Sequence, residues 1–358
     1  MRVCILGSGL SALTLAKALV DQNVFVDMFS LKKKPLLNSS RTIGISKSNI
    51  DYFNDNIVDI ENISWKINKI EILTENSNRE KVLNFKNNKN HLFSVVKNFK
   101  IYEAVEKCLK KNKKFRIIYN NYNFNLLKKY DLIINTDYFN SITKKYFNKK
   151  ILKDYKSYAY TSTITHKKTI NRTATQIFTK YGPIAFLPIS NTQTSLVLSI
   201  KNNKEIINQD LIKMVNKYNF KYDIKKIEKF YFFKLISLNL RNYFQGNILA
   251  FGDLLHKIHP LAGQGFNMTI RDTKILLDII KYKIDLGLPL DISVNKEFEK
   301  KSKARNIIFS SGVDIVHEFF NLESKTKNNI LSKSVQFIGK NPTLNSMFTK
   351  IADNGSIF

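Results

Sequence analysis

Two patterns of apolar residues occur along the chain. Some segments repeat their apolar residues at the spacing of a helix, and others alternate apolar with polar residues. Near the amino terminus, the apolar run Arg2–Leu6 predicts a buried strand, and residues 11–20 carry their apolar side chains at helical spacing. Residues 55–90 and 151–235 instead alternate apolar with polar positions, which predicts the strands of antiparallel sheet. Helical spacing returns later, most clearly from Ile292 to about residue 320. The pattern therefore predicts an α/β protein that also contains an antiparallel sheet.

A glycine-rich turn follows the first predicted strand. The segment Gly7–Ala12 reads G-x-G-x-x-A and opens a predicted helix, which is the context that a dinucleotide-binding turn requires. In such a turn Gly7 makes the bend, Gly9 admits a pyrophosphate, and Ala12 lets the helix pack closely on the strand. The alternative is a glycine-rich turn that binds no ligand. The pattern alone does not choose between FAD and NAD.

A longer loop, Gly252–Asn267, connects a second apolar run with another predicted helix. Gly252 lets the backbone approach a ligand closely, and Asp253 can accept hydrogen bonds from sugar-type hydroxyls. The tripeptide Gly263-Gln264-Gly265 brings free N–H groups and a helix N-terminus, where negative charge is favoured. The loop suits a large, flat, partly anionic ligand. For the tripeptide alone, an ordinary glycine-rich connection would be the simpler interpretation.

Taken over its sixteen residues, this loop resembles the G-D-x-x-H-x-x-x-P-x-x-G-Q-G-x-N loop of the single-component, FAD-dependent aromatic hydroxylases. Its version from Ile258 to Gly265 is most similar to the ubiquinone-biosynthesis hydroxylase branch, which oxygenates polyprenylated phenols. The resemblance implies a Rossmann-like FAD-binding domain, an interleaved substrate domain built on an antiparallel β-sheet, and C-terminal helices.

The resemblance also implies how the chain divides between domains. The FAD-binding domain would comprise residues 1–54, 91–150 and 236–290. The substrate domain would comprise a small sheet over residues 55–90 and the larger sheet over residues 151–235. Residues 291–358 would form a C-terminal helical region.

Further segments carry the same resemblance. Arg41–Ser46 is similar to the family's R-x-x-A-L-S segment, and Asp131–Ser141 is similar to its D-L-x-x-G-A-D-G-x-x-S segment. By resemblance, no side chain serves as an acid or base, and Pro260, Gly263 and Gln264 lie beside the flavin ring. The implied FAD contacts are Gly7, Gly9, Ser11, Ala12, Ser30, Arg41, Asn98, Asp137, Gly252, Asp253, Pro260, Gly263, Gln264, Gly265, Phe266 and Asn267.

Several positions depart from the family's pattern. A second strand is predicted from Val24 to Phe29, and Ser30 follows it, where an acidic residue normally binds the adenosine ribose. Charge assistance is therefore lost, and FAD affinity should fall. Phe99 replaces a usual arginine, and Asn135 and Tyr138 replace two glycines. These departures motivate an alternative function, a non-catalytic subunit of a quinone-biosynthesis complex.

The implied reaction is hydroxylation of a polyprenyl phenol, with O2 and a transiently bound NAD(P)H as co-substrates. The chain carries one nucleotide-binding pattern, which fits a nicotinamide donor without a domain of its own. A prenylated substrate predicts a large apolar tunnel between the two domains. A third hypothesis is a flavoprotein reductase that acts on isoprenoid substrates.

The net charge of +29 invites a nucleic-acid interpretation, but only eight of the 58 basic residues are arginine and no nucleic-acid-binding motif accompanies them. We therefore expect no nucleic acid as partner. A basic surface favours contact with anionic lipid. We expect a cytoplasmic protein, peripheral on the inner membrane, and contact with a quinone-biosynthesis complex is a further hypothesis.

Cysteine and histidine usage narrows the chemistry further. Cys4 and Cys108 are too few for a disulfide framework, which predicts a reducing compartment. The chain enters a strand at once, so no signal peptide is expected, and no apolar run is long enough to span a bilayer. His256 and His259 lack the further ligands that zinc requires, so no metal site is predicted.

Overall fold

The computed structural model describes residues 1–30, 38–75, 81–86, 91–119, 124–202, 205–260 and 265–326. In chain order the strands are β1 (Arg2–Leu6), β2 (Phe25–Phe29), β3 (Thr42–Ser46), β4 (Ser64–Ile67), β5 (Lys69–Thr74), β6 (Lys81–Lys86), β7 (Phe93–Lys97), β8 (Phe115–Ile118), β9 (Leu132–Asn135), β10 (Lys150–His166), β11 (Thr173–Thr179), β12 (Gly182–Pro188), β13 (Gln193–Lys201), β14 (Ile224–Ile227), β15 (Tyr231–Leu240), β16 (Phe244–Gln245), β17 (Ile248–Ala250) and β18 (His256–Lys257). The helices are α1 (Leu10–Asp21), α2 (Lys47–Asn56), α3 (Asn98–Lys110), α4 (Phe124–Leu127), α5 (Ser141–Tyr146), α6 (Asn208–Tyr218), α7 (Gly265–Asp285) and α8 (Ile292–Thr326).

The first sheet has six strands in the order β16-β17-β9-β1-β2-β8. Its central strand, β1, runs parallel to β2 and β9, so that Leu6 lies beside Phe29 on one side and Asn135 on the other. Val3 to Leu6 are fully buried, because helices cover a parallel sheet of this kind on both faces. The carboxyl ends of these strands meet at one edge, where ligands of such folds bind.

Helix α1 shows why this part of the chain folds as predicted. Its apolar side chains recur at helical spacing, and Leu13, Leu15 and Leu19 are fully buried, because the helix packs on the sheet and also on α3 and α7. Burial of each such side chain contributes about 1.5–3 kcal/mol of favourable transfer free energy. The predicted helix over residues 11–20 is confirmed.

The second sheet has nine strands, with the path β18-β15-β10-β13-β12-β11-β5-β6 and β14 paired with β10. Neighbours run antiparallel except β5 and β11, which are parallel. Strand β10 is the long centre of this sheet, and its pairing with β15 is irregular between Asp154 and Tyr158. Helix α6 packs on one face, where Leu211 and Val215 join Tyr160 and Leu198 in a buried cluster.

A third sheet, β3-β7-β4, lies between the two larger ones. The segment over residues 55–90, predicted as one small sheet, is therefore divided. Strand β4 pairs with β7, whereas β5 and β6 extend the nine-stranded sheet. Buried side chains that include Ile67, Val95 and Leu187 pack between these sheets and join the two domains.

Helices α7 and α8 complete the described part of the chain. Helices α7 and α8 are separated by a turn in which Gly287 has a φ of +66°. The lysine-rich helix that follows extends to Thr326, and the remainder of the predicted C-terminal region lies outside the described residues. No helix among the described residues is long and apolar enough to cross a membrane.

Candidate functional site

The glycine-rich turn after β1 is held in the form that a dinucleotide requires. The Gly7 amide donates a hydrogen bond of 2.9 Å to the Phe29 carbonyl, and Gly7 has a φ of +110°. A Cβ at this residue would lie 2.4 Å from Thr136 Oγ1, so a side chain does not fit. Gly9, which precedes α1, is exposed, and a Cβ there would have no atom within 4 Å. The N-terminus of α1 is therefore open to a phosphate.

The Gly252 loop meets this turn. Gly252 has a φ of +66°, and a Cβ there would lie 2.7 Å from the Cβ of Ser11 in the first turn of α1. Ala12, the next residue of α1, is fully buried. Asp253 is exposed beside this contact, and no side-chain partner holds its carboxylate within the described ranges. Two motifs that are distant in sequence thus form one surface.

Ser30 lies at the carboxyl end of β2, where the ribose-binding residue is expected. Its side chain is buried, and its hydroxyl lies 2.7 Å from the Ser8 hydroxyl. The acidic residue of β2 is Asp27, which lies within the strand and accepts hydrogen bonds from Arg116 and Tyr130. Burial alone would raise the pKa of Asp27, but hydrogen bonds from Arg116 and Tyr130 lower it overall. The ribose position therefore offers hydroxyls and no carboxylate from β2.

Strands β3 and β7 bring Arg41 and Asn98 together. They pair antiparallel, and the Asn98 amide donates to the Arg41 carbonyl at 2.9 Å. The side chain of Arg41 is exposed, while Asn98 is buried at the start of α3. Ser40 contacts Thr161 of the nine-stranded sheet, with 3.0 Å between their hydroxyl oxygens. Arg41 therefore lies at the junction of the two domains. Phe99, which stands where an arginine was expected, is half-buried.

The residues that replace two family glycines have protein partners. Asn135 is fully buried, accepts a hydrogen bond of 2.7 Å from Asn140 and donates one of 2.8 Å to Thr143. The ring of Tyr138 lies 3.9 Å from the Lys150 ammonium. Asp137, between them, accepts a hydrogen bond from the Phe139 amide. These side chains are thus held by neighbouring groups of the protein, including Thr143 of α5 and Lys150 of β10.

The start of α7 is anchored by Asn267. This residue is fully buried, accepts hydrogen bonds from the Ser46 amide and the Asn49 side chain, and donates to the Gly44 carbonyl at 2.8 Å. Phe266, beside it, packs edge-on against a phenylalanine of α2. These contacts hold the helix against β3.

Other residues of this loop differ in exposure. Gly265 is exposed at the first position of α7, and Pro260 is half-buried. Gly263 and Gln264 lie outside the described residues, so their predicted positions beside the flavin ring remain predictions.

The two histidines of the loop have different environments. His256 Nε2 lies 2.7 Å from a carboxylate oxygen of Asp272, and Asn306 donates to the same carboxylate at 3.0 Å. This buried network ties the loop to α7 and α8. Across the described ranges, no group of three potential ligand residues could hold a metal ion.

His259 is the residue whose surroundings the sequence did not reveal. It is buried, neither ring nitrogen has a hydrogen-bond partner in the described part of the chain, and its ring contacts Tyr155 and His317 at centroid distances of 4.9 and 4.3 Å. Burial, with smaller contributions from the positive charges of His317 and Lys153, lowers the pKa of His259 to about 3. The imidazole is therefore neutral at neutral pH. The Tyr155 hydroxyl in turn donates to Asp314 of α8.

A cavity of about 260 Å³ lies beyond Tyr155 and His317. It is bounded by β10, by the hairpin of β11 and β12, and by α8. Its lining is rich in lysine and hydroxyl groups, unlike the large apolar tunnel that the sequence predicts between the domains. That tunnel remains a prediction.

Comparison with known proteins places these features in context. No protein-family profile matches the chain. The sequence is 30% identical to the 3-demethoxyubiquinol 3-hydroxylase of Escherichia coli (strain K12) over 152 residues, which cover 40% of this chain and 39% of that protein. It is 24% identical to the mitochondrial ubiquinone biosynthesis monooxygenase COQ6 of Drosophila melanogaster over 262 residues, which cover 62% of this chain and 55% of that protein.

Solved structures match over a longer range. The p-nitrophenol 4-monooxygenase PnpA from Pseudomonas putida DLL-E4 superposes with a TM-score of 0.78 at 11% identity, covering 97% of this chain and 96% of that one. HpxO from Klebsiella pneumoniae, solved with FAD and uric acid, gives a TM-score of 0.77 at 11% identity, covering 99% and 97% of the two chains.

These comparisons confirm the predicted fold and the resemblance from which it was inferred. The chain has the fold of these monooxygenases, with a Rossmann-like part, an interleaved sheet domain and C-terminal helices. Its sequence relatives include hydroxylases of ubiquinone biosynthesis, as the Gly252 loop predicted. The two sequence alignments span 39% and 55% of those curated relatives.

Proposed function

We propose that this protein is an FAD-dependent monooxygenase that uses NAD(P)H and O2 to hydroxylate the aromatic ring of a polyprenylated phenol in ubiquinone biosynthesis. The observation that carries the proposal is the contact between Gly252 and Ser11, which joins the dinucleotide turn to the Gly252 loop. Only glycine fits at Gly7 and Gly252, for reasons of both φ and space.

The described residues fit FAD in several respects. The exposed N-terminus of α1 at Gly9 would hold the pyrophosphate, and the exposed carboxylate of Asp253 would accept hydrogen bonds from sugar-type hydroxyls. Ser8 and Ser30 would offer hydroxyls to the adenosine ribose. When bound, FAD would supply the redox chemistry, accepting electrons from NAD(P)H and activating O2.

The protein's part in this reaction is positioning and exclusion of water. Asn267 holds the first turn of α7 against β3, through the Ser46 amide and the Gly44 carbonyl. On the opposite side, the rings of His259, Tyr155 and His317 pack together and close the space between the loop and α8. Because His259 is neutral, it adds no charge beside Pro260.

The sheet domain offers apolar surface for an aromatic substrate. Tyr231 pairs with Thr161 and Phe233 pairs with Ala159, so the four side chains share one face of the sheet. Thr161 contacts Ser40, so this face is turned towards the FAD-binding domain. Tyr231 and Phe233 are each 41% exposed there and would pack against a phenol ring and its prenyl tail. The sequence similarity to a 3-demethoxyubiquinol 3-hydroxylase and to a ubiquinone biosynthesis monooxygenase supports a ubiquinone precursor as substrate.

We also propose a cytoplasmic location with peripheral contact to the inner membrane, together with contact to other quinone-biosynthesis proteins. A prenylated phenol partitions into lipid, and the formal charge of +29 favours an anionic surface. On α8, Ile308, Ile315 and Leu322 recur every seven residues and are 72%, 68% and 58% exposed. Such a narrow apolar stripe is typical of a helix that packs against a partner.

One observation favours the non-catalytic alternative. Ser30 offers no charge to a ribose, and its hydroxyl is already hydrogen-bonded to Ser8. A protein that no longer binds FAD could keep the fold and act as a subunit.

Turnover distinguishes these functions. The purified protein is incubated with FAD, NAD(P)H, ¹⁸O2 and membranes that contain prenylated phenol precursors, and lipid products are analysed by mass spectrometry. We expect a product that carries one ¹⁸O atom and that requires both co-substrates. Bound FAD with substrate reduction but no ¹⁸O in the product would contradict hydroxylation, and absence of FAD binding would favour the subunit.

A further inference from the structure

The cavity between β10 and α8 has a cationic lining. Lys153 and Lys156 come from β10, Lys180 from the turn between β11 and β12, and Lys201 from the end of β13. His317 and Glu318 of α8 close the opposite side. The volume of about 260 Å³ accommodates a small polar group together with its contacts.

Few carboxylates balance this charge. Glu318 pairs with Lys153 at 3.0 Å. Asp154, the other acidic lining residue, pairs at 2.7 Å with Lys234, which lies outside the lining. No carboxylate pairs with the ammonium groups of Lys156, Lys180 or Lys201 within the part of the chain that the structure describes. A concave surface lined by charges of one sign concentrates its field and attracts a counter-ion.

Lys156, one of the lining residues, has an unfavourable backbone conformation. It lies where the β10–β15 pairing shifts, and it has a φ of +50°, in the left-handed region that favours glycine. Its amide donates to Asp154 Oδ1 at 2.9 Å, which helps to hold the bend. A residue other than glycine at such a position costs stability and often marks a functional site. The strain is understandable if the ammonium group serves a ligand.

We propose that this cavity binds a phosphate ester. A phosphate presents several oxygens, which suits a cavity that is lined by lysines from two strands and a turn. The buried hydroxyl of Ser199 lines the same space and can donate to those oxygens. A phospholipid headgroup and a soluble phosphate ester share this chemistry. None of the predicted FAD contacts lines this cavity, so phosphate binding can be tested separately from the proposed activity.

Titration calorimetry on the purified full-length protein tests the site. One arm adds inorganic pyrophosphate, and a second adds phosphatidylcholine vesicles with or without phosphatidylglycerol. Binding of pyrophosphate alone identifies a soluble ester as the source, and binding that requires phosphatidylglycerol identifies a lipid headgroup. Binding of neither probe overturns the proposal.

The variant Lys156→Gly makes the test specific. Glycine relieves the backbone strain, so the thermal midpoint of unfolding should stay the same or rise. Affinity for whichever probe binds the wild type, pyrophosphate or phosphatidylglycerol vesicles, should fall about tenfold. The control Lys168→Gly removes an exposed lysine elsewhere and should leave affinity unchanged. Equal weakening in both variants would mean unspecific charge attraction and overturn the proposal. So would loss of binding in Gly9→Val, at the N-terminus of α1, without loss in Lys156→Gly.

Discussion

The region around Gly7, Gly9 and Gly252 and the region around β10 and α8 are built in different ways. In the first, backbone shape makes the site, because glycines allow a positive φ and a close approach between α1 and the Gly252 loop. In the second, side chains make it, because His259, Tyr155 and the cavity lysines come from separate elements. A site that is made by backbone shape can be predicted from short sequence motifs. A site that is made by side chains from separate elements can be identified only in the folded structure.

The variant Gly9→Val tests whether the glycine turn binds FAD, and it should have the largest effect. A Cβ at Gly9 meets no protein atom within 4 Å, so the fold should be unaffected, but the side chain would occupy the space at the α1 N-terminus. We expect FAD affinity to fall by about 100-fold, or ~2.7 kcal/mol, with an unchanged thermal midpoint. Fluorescence titration with FAD measures the loss. Undiminished affinity would show that FAD does not bind at this turn.

Gly252→Ala tests the contact between the two motifs. The new Cβ would lie 2.7 Å from the Ser11 Cβ at a φ of +66°. Gly287→Ala is the matched control, because Gly287 has the same φ and no atom within 4 Å of its Cβ position. We expect the control to lose about 1–2 kcal/mol of unfolding free energy in urea, and Gly252→Ala to lose more. Equal losses would contradict a close contact.

His259→Phe tests the second region through pH. Burial lowers the folded-state pKa of His259 to about 3, below an unfolded value near 6.5, so protonation favours the unfolded chain. The neutral imidazole's contribution is present above pH 6.5 and is lost as pH falls towards 3. Between pH 6.5 and 5, wild type should lose about 2 kcal/mol more than His259→Phe.

Urea denaturation at several pH values provides this measurement. The groups that face His259 are Tyr155 and Lys153 of β10 and His317 of α8. All of them remain in the variant, so the difference reports the titration of His259 together with its charge interaction with His317. A pH dependence that is identical in wild type and variant would mean that His259 is not buried as a neutral group.

The smallest effect is expected for Ser30→Asp. This change returns a carboxylate to the end of β2, where charge assistance strengthens a hydrogen bond to ribose by about 1 kcal/mol. FAD affinity should therefore rise about fivefold, whereas Ser8→Ala, which removes one of the two hydroxyls offered to the ribose, should not raise it. Calorimetric titration distinguishes the two. A lower affinity in Ser30→Asp would place the ribose elsewhere.

The difference between local motifs and contacts of distant residues also decides which parts of the structure could be predicted from the sequence. Helix α1, the glycine turn and the Gly252 loop depend on local pattern, and their fold was predicted from that pattern and its resemblance. The division of residues 55–90 between two sheets was not predicted, because alternation of polar and apolar residues does not reveal which partner a strand will choose. The ring contacts of His259 could not be predicted either, because Tyr155 and His317 are far away in sequence.

The lysine cavity could not be predicted from the sequence, because the chain is rich in lysine throughout. Lysine is so abundant in this chain that four cavity lysines do not stand out. The informative feature is the φ of +50° at Lys156, which depends on the irregular pairing of β10 with β15. Such strain is visible only in a folded structure.

The central claim is that the turn at Gly9 and the loop at Gly252 hold a working flavin. The absorbance spectrum of the purified protein, recorded after addition of FAD and then of NADPH in air, tests this claim most directly. We expect protein-bound flavin bands that bleach with NADPH and return as oxygen is consumed. A protein that retains its fold but binds no added FAD would contradict the claim and would favour the non-catalytic subunit.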